Sequence, residues 1–165
     1  MTSAACFNRS IILAAAIALA LPAAAGAQAP PHRKTGMWET TMLMPGGRTM
    51  VTSMCTDAAT EARYSAFRPQ GPQACKTLNN HPIPGGFAME SECVIGGRTT
   101  HSSMTVTGDF QSAYKMEVVG EGAKATPTKV TMNARWTGPC PAGRKPGDMV
   151  MPGGMVINIA SLPGG

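Results

Sequence analysis

The chain's most abundant groups able to do chemistry are thioethers. Its 165 residues include 13 Met, and 12 of these lie beyond residue 27, where only Leu43, Leu78 and Leu162 represent leucine. Two stretches are near copies, Met42-x-Met44-Pro-Gly-Gly and Met149-x-Met151-Pro-Gly-Gly. Thioether sulfur is a soft donor, and a Met-x-Met pair suits Cu(I). His32, His81 and His101 would add nitrogen. The plainer reading places Met50, Met54, Met89, Met104, Met116 and Met132 at core spacing, where the unbranched side chain fills irregular gaps. Core filling is the preferred reading and no cofactor is expected. Met42, Met44, Met149 and Met151 stand as the alternative metal set.

Catalytic groupings are thin. His101, Ser102 and Ser103 are consecutive, so on a strand His101 and Ser102 face opposite sides. No Gly-x-Ser-x-Gly turn exists to expose a nucleophile. Glu90 and Glu92 share a strand face, but carboxylates on a solvated face keep ordinary acidity. No catalytic residue is assigned, and the chain is expected not to be an enzyme.

Cysteine is more informative. Cys6 falls in the leader described below, which leaves Cys55, Cys75, Cys93 and Cys140. No Cys-x-x-Cys occurs, which argues against a thioredoxin-like site and against zinc knuckles. An even number of cysteines in an exported chain reads as a disulfide framework. The turn residues His81-Pro82-Ile83-Pro84-Gly85-Gly86 lie midway between Cys75 and Cys93. A hairpin about Pro84 sets those two cysteines opposite each other, leaving Cys55 to pair with Cys140.

Export itself is read from residues 1–27. Arg9 precedes the uncharged run Ile11–Leu21, Pro22 breaks it, and Ala25-Gly26-Ala27 and Ala27-Gln28-Ala29 fit the small-x-small rule for signal cleavage. A membrane-spanning helix needs about 20 apolar residues, more than this run offers. A cleaved signal peptide and a periplasmic location are therefore expected, with secretion as the alternative. Loss of Arg9 takes the formal charge from +5 to +4. The basic residues are scattered rather than striped with aromatics, which disfavours nucleic acid as a partner.

The remaining chain must hold its few reactive groups on short strands. Charged residues are 14% of the chain, against about 25% in an ordinary globular protein. Gly (19) and Pro (14) are too frequent for helical bundles. Turn residues divide the chain into strands at about Gly36–Met44, Arg48–Thr56, Ala74–Asn79, Phe87–Ile95, Arg98–Thr107, Ser112–Gly120 and Thr128–Thr137. A short helix at about 57–67 is capped by Thr56 or Asp57. Folding about the turns opposes Trp38 to Met54, Met42 to Met50, Met89 to Met104, Met104 to Met116 and Val106 to Tyr114. The apolar set then shares one face. Leu78 is the misfit: with Cys75 inward it points outward, so its strand is either very short or covered on both sides. The predicted fold is all-β with one short helix, an antiparallel meander of about seven strands forming a small barrel-like or sandwich core. The expected order is a signal peptide (1–27), a flexible linker (28–35), a disulfide-linked β domain (36–148) and a loose Gly/Pro/Met-rich tail (149–165). In that tail Met155–Ile159 could add an edge strand.

With these elements placed, a pattern emerges: Gly36-x-Trp38-Glu39 at the opening, Cys55-Thr56 before the helix, two mid-chain cysteines, Trp136-x-Gly138-x-Cys140-Pro141, then Pro146-Gly147-Asp148. Over about residues 36–148 this resembles the exported bacterial family called domain of unknown function 3617. The resemblance implies a periplasmic β domain with cysteine bonds, and it brings no catalytic residues. The expected function is non-enzymatic: binding of a small apolar ligand, or interaction with an envelope protein. A Met-rich periplasmic Cu(I) carrier is the alternative.

Overall fold

In the computed structural model the described residues are 31–64, 67, 74–121 and 127–161. The signal-peptide reading at 1–27 and the first part of the expected linker lie outside them. In chain order the elements are β1 (Gly36–Leu43), β2 (Thr49–Thr56), α1 (Ala58–Arg63), β3 (Ala74–Ile83), β4 (Gly86–Ile95), β5 (Arg98–Gly108), β6 (Ala113–Glu121), β7 (Pro127–Gly138), β8 (Asp148–Val150) and β9 (Val156–Asn158), then a 3-10 turn (Ile159–Ser161).

All nine strands form one antiparallel sheet in the order β3-β4-β5-β6-β7-β1-β2-β8-β9. The all-β antiparallel reading stands, but the sheet does not close into a barrel or split into a sandwich: β3 and β9 remain as separate edges. At one end its inner face is covered by Phe67, which packs in the buried core, and by the arm preceding β1, whose Arg33 bonds Glu61 of α1 and the Tyr114 hydroxyl. A packed core therefore forms without closure.

Registers follow the turn chemistry. Trp38 faces Met54 and Met42 faces Met50, while Met89 faces Met104. The β5–β6 pairing differs from expectation. Met104 meets Val118, and Val106 meets Met116, with Gly108 opposite Tyr114. The slip is two residues, so every side chain keeps its face. Its cause is the turn. The Asp109 carboxylate accepts hydrogen bonds from the backbone N–H groups of Gln111, Ser112 and Ala113, which fixes a longer loop than a hinge at Phe110 would make.

Leu78 resolves differently from either expectation. β3 is ten residues long, and a bulge between Thr77 and Asn79 takes Leu78 out of the pairing. Leu78 is 49% exposed, while the Cys75–Thr77 and Asn80–Pro82 stretches stay in register with the inner residues of β4. The helix is shorter than expected. Asp57 caps it, its side chain accepting the Thr60 N–H at 2.7 Å, and it ends at Tyr64.

The two Met-x-Met-Pro-Gly-Gly copies prove to be one turn used twice. Met44 N–H donates to Arg48 O and Gly47 N–H to Met44 O; Met151 N–H donates to Met155 O and Gly154 N–H to Met151 O. Gly46, Gly47, Gly153 and Gly154 all have φ between 75° and 86°, a region side chains avoid. The second copy joins β8 to β9, so the described part of 149–165 is not a loose tail. It continues the sheet beyond β2, and the stretch at 155–159 supplies the edge strand.

Candidate functional site

The inner face divides into an aromatic end and a methionine end. At the aromatic end the Phe67 ring meets those of Phe87, Phe110 and Tyr114 at centroid distances of 5.4, 5.6 and 5.3 Å. Trp38 packs on Tyr114 at 5.4 Å. Trp38, Phe67 and Val106 are almost wholly buried. Toward the other end Met42, Met50, Met104, Met132, Val118 and Val130 line the same face and are only half-buried. By register the strand charges Glu39, Glu90, Glu92, Lys115, Glu117, Lys129 and Arg135 all fall on the outer face. There Arg135 pairs with Glu39 at 2.7 Å, and Glu117 with Lys115 and Lys129. Among the described strand residues, Arg98 at the β4–β5 turn is the charge that falls on the inner side by register.

Residues 31–35 close the aromatic end. Lys34 N–H donates to Phe110 O at 2.9 Å. The Trp38 indole N–H donates to Lys34 O at 2.7 Å, and the Trp136 indole N–H to Thr35 O at 3.0 Å. The Lys34 ammonium lies 3.7 Å from the Trp136 ring centroid, a cation–π contact. Two facing tryptophans thus grip successive carbonyls of the arm. Gly36 follows with φ 132°, where a Cβ would collide with Gly138 O and Trp136 Nε1. The Gly-x-Trp and Trp-x-Gly motifs are two halves of this clasp.

Inside the clasp sits a buried charge cluster. Arg33 Nε donates to Glu61 Oε2 at 2.9 Å, and Arg33 Nη1 to the Tyr114 hydroxyl at 3.3 Å. Thr56 Oγ1 donates to Glu61 Oε2 at 3.3 Å. Both charged side chains are 2% exposed. Burial is the largest influence on Arg33 and by itself lowers the pKa. Tyr114 and Glu61 more than offset it, so the guanidinium is held charged. Burial pushes the Tyr114 phenol up. The cluster is not fully satisfied. Arg33 Nη2 lies 2.8 Å from Glu61 Oε2 but is not aligned for a hydrogen bond. Glu61 Oε1 and the Tyr64 hydroxyl are likewise buried with no hydrogen-bond partner among the described residues. Each such group costs about 1–3 kcal/mol. Against the arm lies a pocket of about 300 Å³ bounded by Pro31, Asn80, Pro82, Gly86, Phe87 and Phe110.

The four cysteines pair as expected. Cys55 and Cys140 are bonded with Cα atoms 5.5 Å apart, and Cys75 and Cys93 with Cα atoms 4.1 Å apart. The register sets the two Met-x-Met copies apart rather than in one group. Met42 faces Met50 and Met149 faces Met54. From strand geometry, Met42 and Met149 are about 13 Å apart along β2 and about 10 Å across it. Met44 and Met151 sit in separate turns. Ser102 Oγ lies 2.9 Å from Ser91 Oγ on the inner side, while His101 faces Glu92 across the outer side at 3.8 Å. The sequence reading missed the clasp and the Arg33–Glu61 pair. Arg33 was placed in a linker and Glu61 in an ordinary helix. The available signal was the conjunction of Gly36-x-Trp38 with Trp136-x-Gly138, each of which has an indole N–H that needs an acceptor.

No curated protein matches this chain, and no solved structure does. The family model described as "Protein of unknown function (DUF3617)" matches residues 33–140, from the buried arginine of the arm to the last cysteine, and the chain belongs to that family.

Proposed function

We propose that this is a non-enzymatic binding domain, working in the periplasm after loss of its leader, that takes a small apolar ligand on the methionine half of its inner face. One observation carries the reading. An unclosed sheet gathers Met42, Met50, Met104 and Met132 on a single side, half-buried, while its described strand charges other than Arg98 lie on the other. Flexible thioether side chains conform to varied apolar shapes, and uncharged walls with few polar groups suit such ligands. Two cysteine pairs at bonding distance suit an oxidising compartment, in keeping with the leader-like residues 1–27. Outer-face carboxylates already engaged with Arg135, Lys115 and Lys129 support a structural rather than a catalytic role for them.

The test is titration of the exported protein with the neutral fluorophore N-phenyl-1-naphthylamine, alongside native mass spectrometry of the protein as isolated. Saturable binding is expected, weakened at least tenfold by Met42→Gln with Met132→Gln while circular dichroism stays unchanged. No saturable binding, or binding indifferent to both substitutions, removes the proposal.

A further inference from the structure

We propose that residues 31–35 form a movable strap over the aromatic end of the inner face, and that the pocket beside Pro31 is where an apolar ligand enters beneath it. This rests on the binding role above and adds a second site and a gate to it. Two independent observations meet here.

The first is the pocket. Phe87 and Phe110 line it, and both rings belong to the buried aromatic cluster around Phe67. Pro31, the first described residue of the arm, forms part of its wall. Lifting the arm therefore widens the pocket directly onto an apolar aromatic surface, which fits a small planar or branched apolar molecule.

The second is the unfinished hydrogen bonding of the clasp. Arg33 Nη2, Glu61 Oε1 and the Tyr64 hydroxyl are buried without hydrogen-bond partners among the described residues. When the arm docks, Arg33 Nη2 gains only the charge of Glu61 at 2.8 Å and Glu61 Oε1 gains no hydrogen bond among the described residues, although both lose water; when it lifts, they recover water. The buried Arg33–Glu61 pair shares this character, because its attraction is set against the desolvation of both ions. Besides the Arg33 bonds to Glu61 and Tyr114 and the Lys34 ammonium over the Trp136 ring, the arm's backbone is held at three points: Lys34 N–H to Phe110 O, and two indole N–H groups to Lys34 O and Thr35 O. A terminal segment outside the strand ladders, whose buried ion pair is set against desolvation and orphaned polar groups, opens locally, below the cost of global unfolding. The Phe110 backbone, at φ 57° in the turn that receives Lys34, adds local strain at the same point.

Hydrogen exchange and fluorophore binding test this together. In the wild-type protein the Lys34 amide is expected to exchange at least tenfold faster than the paired amides of Thr40 and Ala134. Arg33→Met with Glu61→Leu replaces the unsatisfied pair by apolar groups of similar size. It should slow Lys34 exchange at least fivefold and slow the uptake of N-phenyl-1-naphthylamine. Glu61→Gln should do the reverse. An Lys34 amide that exchanges only as fast as Thr40 and Ala134 overturns the strap, and that measurement needs no variant. Fluorophore uptake unaltered by either variant, with binding itself intact, also overturns the strap but leaves the methionine-face reading standing. Absence of binding in the wild type overturns the methionine-face reading.

Discussion

Trp38 and Trp136 face each other across the β1–β7 ladder, yet they do different amounts of work. The Trp38 ring is fully buried and its N–H reaches Lys34 O, whereas Trp136 is half-exposed and bonds Thr35 O. Trp38→Phe should lower stability by about 2–4 kcal/mol, combining lost ring volume with an unpaired carbonyl. Trp136→Phe should cost about 1 kcal/mol. Urea midpoints at constant m-value check both. A chain in which Trp136→Phe is the more damaging would mean that the clasp is organised from β7. Asp57→Ala removes the helix cap and should cost about 1 kcal/mol in the same assay. Acid behaviour follows from four carboxylates held below their ordinary pKa. Asp57 is held down by its bonds to Thr60, Asp109 by Ser112 and its neighbouring amides, Glu117 by Lys129 and Lys115, and Asp148 by the Lys145 amide and Asn158. The folded state binds these protons less readily than the unfolded chain. Their contribution is present above the unfolded carboxylate range near pH 4 and is lost as pH falls through the lower folded values. Thermal midpoints should therefore hold from pH 7 to about 5 and fall steeply below about 4. Asp109→Ala should make that fall shallower.

At the scale of the element, the turns and alternations were the legible part. Period-two patterning and Gly-rich turns placed seven strands and their common face, because a buried face punishes any one-residue slip. What escaped were features set by side chains that cap or interrupt the backbone. The Asp109 carboxylate lengthens the β5–β6 turn by gathering three N–H groups, and alternation cannot see a two-residue shift. The bulge at Leu78 looked like a broken pattern because one extra residue inverts the apparent face of everything after it. The repeated Met-Pro-Gly-Gly stands out in sequence for its thioethers, whereas the shared turn is set by its glycines and is visible only in the backbone. Arg33 was illegible because nothing local marks an arginine for burial; only its meeting with Glu61, 28 residues away, does so. The bulge reading can be tested directly. β3 is an edge strand, and a bulge there discourages pairing with a second sheet. Deleting Leu78 restores regular alternation from Thr77 to Asn79. The variant should keep the Cys75–Cys93 bond and unfold within about 1 kcal/mol of wild type. It should also self-associate more strongly in sedimentation velocity. Loss of the Cys75–Cys93 bond on deletion would show that the extra residue is needed to bring the cysteines opposite each other.

For the whole molecule the question is how an open sheet keeps its shape. From β3 through β7 and β1 to β2, neighbouring strands are joined by seven to ten rows of pairing, but the edges are not joined to each other. The two cysteine bonds act on different parts of this arrangement. Cys75–Cys93 pins the β3 edge to β4, two strands already adjacent in sequence, over a separation of 18 residues. Cys55–Cys140 spans 85 residues and ties the end of β2 to the segment following β7, with Cys55 fully buried. It also fixes the chain that continues to β8, where Gly147 N–H donates to Cys55 O. In the chain-entropy view the long loop contributes about 4–5 kcal/mol and the short one about 3. The structural argument widens that gap, because only the long loop holds together the β7–β1–β2–β8 half on which the arm docks. Cys55→Ser with Cys140→Ser should therefore lower the thermal midpoint more than Cys75→Ser with Cys93→Ser, and should speed amide exchange in β8, β9 and the arm as well. The Cys75/Cys93 double variant should confine faster exchange to β3. Equal losses with exchange spread evenly over the sheet would mean that the domain unfolds as one indivisible unit, with no edge held independently of the other.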